Sequence, residues 1–200
     1  AVDREVARAL ASSGCITMGF APESGSPKIL KRIKKQVNLK NMKKSMRECV
    51  EEGLNVKSNI MLGFPGEKHG DVWQTLLFIL QMSWIGCHDV SVYPFSPYPG
   101  TELFEDLKDS GQIEKIYSDE YYTSLSYVEF SALKNYSEHY NKFTLRCYQF
   151  LGYIIFYCTT FLFRPIRIVR LFINLYTGIH ETKGATILAL FFKRFRLKGG

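Results

Sequence analysis

Two short loops carry residues whose types and spacing suit ligand binding. The first is Glu23-Ser24-Gly25-Ser26, and the second is Gly63-Phe64-Pro65-Gly66-Glu67. A carboxylate in such a loop can accept hydrogen bonds from ribose hydroxyls or from an amine, and glycines let the backbone approach a ligand closely. A serine at a helix start also leaves free N–H groups that favour an anion or a carboxylate. Together the loops could hold an adenosine-like ligand, although Gly and Ser at strand–helix turns also serve turn geometry alone. A phosphate loop is excluded, because Lys68 stands where that motif needs glycine.

Both loops follow apolar segments with strand character, and the chain alternates such segments with helical ones. The spacing of apolar residues predicts strands over 15–21, 54–62 and 89–95. Helices are predicted over 2–12, over 27–36 behind a Ser26 cap, from Asn41 to Gly53, from an Asp71 cap to Gly86, and over 101–109, with further helix from 134 onward. Strands that alternate with helices indicate parallel βαβ units, in which ligands bind at the carboxyl ends of the strands. Three strands are too few for a closed barrel, so we predict that the chain forms half of a larger α/β unit.

Three motifs in this order resemble the radical S-adenosylmethionine superfamily. They are GFAPESGSPKILKRIKK, NIMLGFPGE and FSPYPGTELF, and the resemblance covers roughly residues 14–105. Within the superfamily the chain is most similar to the branch with an N-terminal cobalamin-binding domain, which includes the anaerobic magnesium-protoporphyrin monomethyl ester cyclase type. The fold that this resemblance implies is α/β: the C-terminal half of a partial (β/α)6 TIM-type barrel with three parallel strands, followed by an α-helical C-terminal region.

The resemblance also implies cofactor-binding roles for residues of both loops. Glu23, Ser24, Gly25 and Ser26 match the loop that contacts the ribose and methionyl part of S-adenosylmethionine. Lys35 matches a basic residue that reaches the methionyl carboxylate. The second group packs against the adenine and comprises Ile60, Gly63, Phe64, Pro65 and Gly66, with Glu67 closing the motif. Pro97, Pro99 and Gly100 match a loop that shapes the rim of the site.

The chain departs from the family pattern in its cysteines. Its five cysteines are scattered and form no CxxxCxxC motif, so no metal ligand and no catalytic residue is assigned. The start without Met, in the middle of a helical pattern, suggests a fragment. Because the cluster cysteines are absent, we expect this fragment to be inactive alone. The implied cofactors are S-adenosylmethionine, a 4Fe–4S cluster with ligands outside this chain, and cobalamin bound by a domain outside it. The implied parent cleaves S-adenosylmethionine reductively to a 5′-deoxyadenosyl radical and acts on a small-molecule, lipid-like or porphyrin-like substrate.

The charge of the chain is concentrated in its last quarter. The formal net charge is +7, and residues 146–200 hold nine Lys or Arg residues and one acid, Glu181. A run of residues without charge, 147–163, is followed by Arg164, Arg167 and Arg170 at helical spacing among apolar residues. Basic amphipathic helices are typical of anionic membrane surfaces. The alternative is a helical cap on the core with solvated basic residues. The expected location is the cytoplasm, with peripheral contact to the inner face of the membrane as an open alternative.

These observations divide the chain into three parts and leave three functions open. The parts are residues 1–110 (barrel half), 111–145 (a Tyr-rich connection) and 146–200 (a basic, apolar helical tail). A radical enzyme is the main hypothesis. A non-catalytic, membrane-associated interaction module is the second, and a tRNA-modifying radical enzyme is the third. The tail lacks the character of a basic RNA-binding β-barrel, so we expect no nucleic-acid partner.

Overall fold

A computed structural model of the chain describes residues 2–113, 118–125 and 134–177, together with residues 182, 184 and 186. These residues form three strands and eight helices. In chain order they are α1 (Arg4–Ser12), β1 (Thr17–Glu23), α2 (Pro27–Arg32), α3 (Leu39–Glu51), β2 (Asn55–Leu62), α4 (His69–Ile85), β3 (Asp89–Pro94), α5 (Glu102–Asp109), α6 (Asp119–Ser124), α7 (Lys142–Phe163) and α8 (Ile166–Thr177).

The three strands form one parallel sheet in the order β1-β2-β3. Ser58 in β2 pairs with Phe20 in β1 and with Val90 in β3. Each connection between strands contains helix, as the sequence pattern predicts for βαβ units. The predicted fold class, three parallel strands with helices in the manner of a partial TIM-type barrel, is confirmed. The parallel arrangement brings the ends of all three strands to one edge of the sheet.

The central strand β2 buries one face against helices and leaves its other face more accessible, whereas the first four residues of β3 are all buried. In β2, Val56, Ser58, Ile60 and Leu62 are buried, whereas the residues between them are half-buried or exposed. The buried face packs with α1, α3, α4 and α7 in a core that includes Leu76, Ile79 and Phe156. Burial of aliphatic side chains of this size contributes roughly 2 kcal/mol each, so this face fixes the register of the sheet.

Several helix boundaries differ from those predicted. Helix α3 begins two residues before Asn41, because Asn38 is the N-cap and its side chain accepts a hydrogen bond from Asn41 N at 3.0 Å. The helix after β1 ends at Arg32 rather than at 36. Asp71 does not occupy the N-cap of α4; it lies in the first turn, and its carboxylate accepts from Lys68 N at 2.9 Å. Ser26 is the predicted N-cap of α2.

The prediction of helix from residue 134 onward is wrong for its first turns, because α7 begins at Lys142. Asn135 accepts a hydrogen bond from Ser137 N at 3.2 Å and donates from its amide to Ser137 O at 3.1 Å. Such local side-chain bonds compete with helix formation. α7 therefore starts only after Asn141, whose side chain accepts from Thr144 N at 2.9 Å. The helix crosses the predicted boundary at residue 146, and the three-part division stays a prediction.

α7 lies along α4 and covers the outer edge of β3. Gln149 donates from Nε2 to Val92 O at 3.2 Å, and Val92 N donates to the hydroxyl of Tyr153 at 3.1 Å. Side chains of α7 thus replace the partner strand that Val92 lacks in this sheet. A Cβ at Gly152 would stand 3.2 Å from Ile79 Cδ1, so the glycine lets the two helices approach closely. The uncharged run of residues 147–163 lies entirely within this helix.

Two arginines of the basic tail, Arg164 and Arg167, bind the C-terminal end of α4. Arg164 donates to the carbonyl oxygens of Ser83 and Trp84, both at 3.0 Å. Arg167 donates to those of Gly86 and Cys87, at 2.8 and 2.7 Å. The carbonyls at a helix C-terminus lack partners within the helix and favour cations. These arginines consequently attach the tail to the barrel part.

Among the described residues, no helix is both long enough and apolar enough to cross a membrane. The basic sequence FFKRFRLK, residues 191–198, lies outside the described residues.

Candidate functional site

A cavity of about 540 Å³ opens at the carboxyl ends of the strands. Glu23 at the end of β1, Met61 near the end of β2 and Phe95 directly after β3 all line it. This is the edge at which parallel α/β sheets bind ligands, and the volume is within the usual range for small-molecule sites. The other lining residues come from the end of α2 and the turn after it, from the loop after β2, and from the segment that leads into α5 and the first turns of that helix. They are Arg32, Ile33, Lys34, Lys35, Phe64, Ser96, Tyr98, Thr101, Glu102, Leu103 and Asp106.

A carboxylate and an ammonium group face each other in the cavity wall. Lys35 Nζ lies 3.1 Å from Glu23 Oε1, and their side chains are 38% and 16% exposed. Glu23 adopts a left-handed backbone conformation with φ of 66°. For a residue with a Cβ this conformation costs roughly 1 kcal/mol, and strain of this kind is concentrated at functional sites. The turn at Glu23 places its carboxylate at the carboxyl ends of the strands, where it lines the cavity.

The same cavity has an aromatic wall. The rings of Phe64 and Phe95 lie 4.9 Å apart between centroids, and the half-buried Met61 is beside them. The cavity therefore combines a surface on which a flat heteroaromatic ring can pack with carboxylates that can accept from hydroxyl groups, such as Glu23, and with cations that can pair with a carboxylate, such as Lys35.

Ser24 and Gly25 are turned towards α4 instead of the cavity. The hydroxyls of Ser24 and Thr75 share a hydrogen bond of 3.0 Å, and Gly25 N donates to Thr75 Oγ1 at 3.0 Å. A Cβ at Gly25 would lie 2.7 Å from the backbone of Gln74 and Thr75. Close packing of this loop on α4 is thus the reason for the glycine.

Ser26 has a similar position. Its hydroxyl donates to Asp71 Oδ1 at 2.8 Å, and Lys28 Nζ lies 3.3 Å from the other carboxylate oxygen. Burial alone would raise the pKa of Asp71, but hydrogen bonds from Lys68 N, from Ser26 and from Lys28 together lower it. Asp71 therefore remains ionised and joins the first loop to the start of α4.

The second loop contains one residue that lines the cavity, Phe64. Gly63 and Gly66 have positive φ values of 90° and 72°, which glycine adopts without strain. Ile60 and Pro65 are buried, and the side chain of Ile60 belongs to the core on the helix-covered face of the sheet. The adenine-packing role that the resemblance implies for this segment stays a prediction for all of them.

Glu67 is fully buried beneath the second loop. Its Oε2 accepts hydrogen bonds from Gly63 N, at 2.6 Å, and from the hydroxyl of Tyr140, while Oε1 has no partner among the described residues. Burial raises the pKa of Glu67 to about 7. The hydroxyl of Ser137 donates to Glu67 O at 2.8 Å. Glu67 thus fastens the loop to the segment that precedes α7.

Sequence reasoning missed the contribution of α5 to the cavity. Glu102 and Asp106 both line it and lie four residues apart, on one face of the helix. The signal was present in FSPYPGTELF, where Thr101 caps α5 by accepting from Phe104 N. Pro97, Pro99 and Gly100 do not line the cavity, whereas Tyr98 between them does.

Cysteine clusters that could bind iron are absent from the described residues. All five cysteines are free, and no group of three or more His, Cys, Asp or Glu side chains there could hold a metal ion. A 4Fe–4S cluster needs several thiolates converging on one point, so the described residues do not fit such a cluster.

A family model and several known proteins match parts of this chain. Residues 1–79 match the family model described as the Radical SAM superfamily. An uncharacterized methyltransferase of Pyrococcus horikoshii is 31% identical over 106 residues, which are 52% of this chain and 22% of the relative. The tRNA-2-methylthio-N(6)-dimethylallyladenosine synthase of Neorickettsia sennetsu is 33% identical over 40% of this chain and 17% of its own length. The threonylcarbamoyladenosine tRNA methylthiotransferase of Thermotoga maritima is 26% identical over 44% and 20%.

The residues that match this family model include both loops, Lys35 and the first part of α4. The matches span 17–22% of the length of these relatives.

Proposed function

We propose that these residues form the nucleoside- and methionyl-binding part of a radical SAM enzyme, and that the cavity at the carboxyl ends of the strands holds S-adenosylmethionine. The observation that carries this proposal is the Glu23–Lys35 ion pair beside the Phe64–Phe95 wall. These groups provide complementary chemistry for the ribose, for the methionyl carboxylate and for the adenine. The match of residues 1–79 to the superfamily supports it.

Each part of the ligand has a chemically suited partner in the cavity. Phe64, Phe95 and Met61 supply apolar surface for the adenine ring. Glu23 accepts hydrogen bonds from ribose hydroxyls, and Lys35 donates to the methionyl carboxylate. The ion pair between Glu23 and Lys35 keeps both charges neutralised before the ligand enters. On binding, Lys35 pairs with the methionyl carboxylate and Glu23 accepts hydrogen bonds from the ribose, so neither charged group is left without a polar partner in a partly buried site.

Chemistry beyond binding requires groups outside the described residues. S-adenosylmethionine supplies a reactive radical when a reduced iron–sulfur cluster cleaves it, and cobalamin would support a methyl transfer. The described residues hold the co-substrate, orient it and shield its adenine from water; they do not bind the cluster. The proposal has three further parts. The chain belongs to the cobalamin branch, similar to the magnesium-protoporphyrin cyclase type; the substrate is lipid-like or porphyrin-like; and the 200 residues alone are inactive. The similarity to a protein that is named a methyltransferase supports the hypothesis that the enzyme transfers a methyl group.

Modification of tRNA is the second candidate function. Two relatives whose names describe tRNA methylthiolation favour it, at 33% and 26% identity. A partner test separates the two candidates: tRNA bound by the full-length protein, without cobalamin, would favour tRNA modification. The non-catalytic interaction module is the third candidate. Membrane contact through residues 146–200 remains a proposal that is compatible with each of them.

Binding of S-adenosylmethionine to the full-length protein tests the proposed cavity. Glu23→Gln and Lys35→Met each remove one charged partner of the ligand while keeping side-chain size. A charge-assisted hydrogen bond is worth about 2 kcal/mol, so we expect affinity to fall roughly tenfold to hundredfold in equilibrium dialysis with labelled S-adenosylmethionine.

Lys34→Met is the matched control for this experiment. Lys34 lies next in sequence to Lys35 and lines the same cavity, but it pairs with Glu102 at 2.5 Å and is mostly exposed. We expect its replacement to change affinity less than about threefold, as is usual for exposed ion pairs. Equal affinities for wild type, Glu23→Gln and Lys35→Met would refute the assignment of the cavity.

A further inference from the structure

The exposed face of α4 carries no charge over four turns. Its large apolar residues are 38–62% exposed, and glycine and glutamines fill the remaining positions. The exposed residues between 70 and 84 are Gly70, Trp73, Gln74, Leu77, Leu80, Gln81 and Trp84. A helix at a water-facing surface normally presents charged side chains there. This surface, which we call the α4 face, is thus built for contact with something less polar than water.

Basic residues of α3 border the α4 face. Lys40, Lys43 and Arg47 are spaced by three and four residues, so they share one side of α3. Lys43 Nζ donates to Gln81 Oε1 at 2.7 Å, which places that side directly beside the α4 face. None of the three forms an ion pair within the part of the chain that the structure describes. A neutral aromatic surface therefore adjoins a row of cations.

The α4 face continues onto the end of α7. The rings of Trp84 and Phe163 are 4.4 Å apart between centroids, and Phe163 is half exposed. Arg164, which donates to Trp84 O, holds the two helix ends together. The apolar surface consequently extends from Trp73 to Phe163 without a break at the helix junction.

We propose that the α4 face, with the basic row of α3, docks this protein on an anionic lipid bilayer. Tryptophan prefers the boundary between acyl chains and headgroups, and lysine and arginine beside it attract anionic headgroups. A bilayer satisfies both features at once, whereas a nucleic acid would leave the apolar side chains in water. This surface belongs to the barrel part, away from the strand ends that form the cofactor cavity, and it does not depend on the proposed function.

The two tryptophans of the chain make the proposal directly measurable, because both lie on the α4 face. Tryptophan emission is recorded while the protein is mixed with vesicles of phosphatidylcholine alone, or of phosphatidylcholine with an equal part of phosphatidylglycerol. We expect the emission to move to shorter wavelength only with phosphatidylglycerol, and brominated lipids to quench it. Added salt should weaken the binding, because it screens the attraction of the basic row.

Two independent variants keep both tryptophans and test the two features separately. Leu77→Ser removes apolar area, and Lys40→Glu/Arg47→Glu reverses two charges. Since one cation near an anionic surface is worth about fivefold in partitioning, we expect the charge variant to lower vesicle binding by at least roughly tenfold. Tyr122→Ser, at an equally exposed aromatic residue of α6, and Lys31→Glu/Lys108→Glu, with the same charge change, are the matched controls and should bind as wild type.

Three results would overturn the proposal. The first is unchanged tryptophan emission with both kinds of vesicle. The second is co-sedimentation with vesicles that leaves the emission unchanged or survives both variants, which would place the lipid contact elsewhere in the chain. The third is a shift of emission that depends on protein concentration without vesicles, which would identify a second copy of the chain as the occupant.

Discussion

The buried carboxyl of Glu67 should make the stability of this protein fall as the pH rises through neutrality. Its pKa is raised from 4.5 to about 7 in the folded chain, so the folded state holds a proton that the unfolded state has released. The stabilising contribution is complete below pH 4.5 and is lost as the pH passes 7. Because one pKa unit corresponds to 1.36 kcal/mol, the full loss is about 3 kcal/mol, of which about 2.5 kcal/mol falls between pH 5 and pH 8.

Urea unfolding at several pH values between 5 and 8, for wild type and Glu67→Gln, measures this contribution. Glutamine keeps an oxygen that accepts from Gly63 N and from Tyr140, but it exchanges no proton, so the pH dependence should largely disappear. Glu138→Gln is the control: this exposed carboxylate accepts from Gly66 N in the same region, and its loss should leave the slope unchanged. Asp71, whose lowered pKa stabilises the fold above its unfolded value of 3.8, changes protonation below this window. Parallel pH profiles for wild type and Glu67→Gln would refute the reasoning.

Two further substitutions test how the loops and the tail are held. Gly25→Ala places a Cβ 2.7 Å from the backbone of α4 and should destabilise the chain by about 1–3 kcal/mol in urea unfolding, whereas Gly70→Ala, with open space around it, should cause no loss. Arg167→Met removes both donors to the carbonyls after α4 and should lower the free energy of unfolding by about 1–3 kcal/mol, whereas Arg47→Met on α3 should change it by less than about 0.5 kcal/mol. Equal stabilities within either pair would show that these contacts contribute nothing.

The sequence predicted the fold well where periodicity and capping agree. The strands, their parallel arrangement and the Ser26 cap follow from apolar spacing and from the preference of proline for the first turn of a helix. The predicted start of α3 was wrong because Asn38 and Asn41, which lie close together in sequence, can both cap a helix. The prediction for the segment before α7 was wrong because the side chain of Asn135 bonds to the backbone of Ser137. Apolar periodicity does not report such a local preference.

The candidate site was predicted in part. Glu23, Lys35 and Phe64 do meet in one cavity, as the resemblance implied for the two loops. The directions of Ser24 and Ser26 depend on Thr75 and Asp71, which are 45 and more residues away in sequence, so no local pattern could have revealed them. The buried position of Ile60 was readable, because it shares the alternation of Val56 and Leu62 in β2.

Glu23 differs from its neighbours in the first loop, because its backbone is strained and its side chain lines the cavity. The nearby Gly25 and Ser24 are explained by packing on α4, so a match to a family over these positions reflects folding as much as cofactor binding. Folding gives no such reason for Glu23. Glycine or asparagine would adopt its φ of 66° with less strain, and within the described part of the chain its carboxylate pairs with Lys35, in the same cavity wall. The strained backbone of Glu23 and its position in the cavity wall are therefore compatible with the proposed role of its carboxylate in binding a ligand.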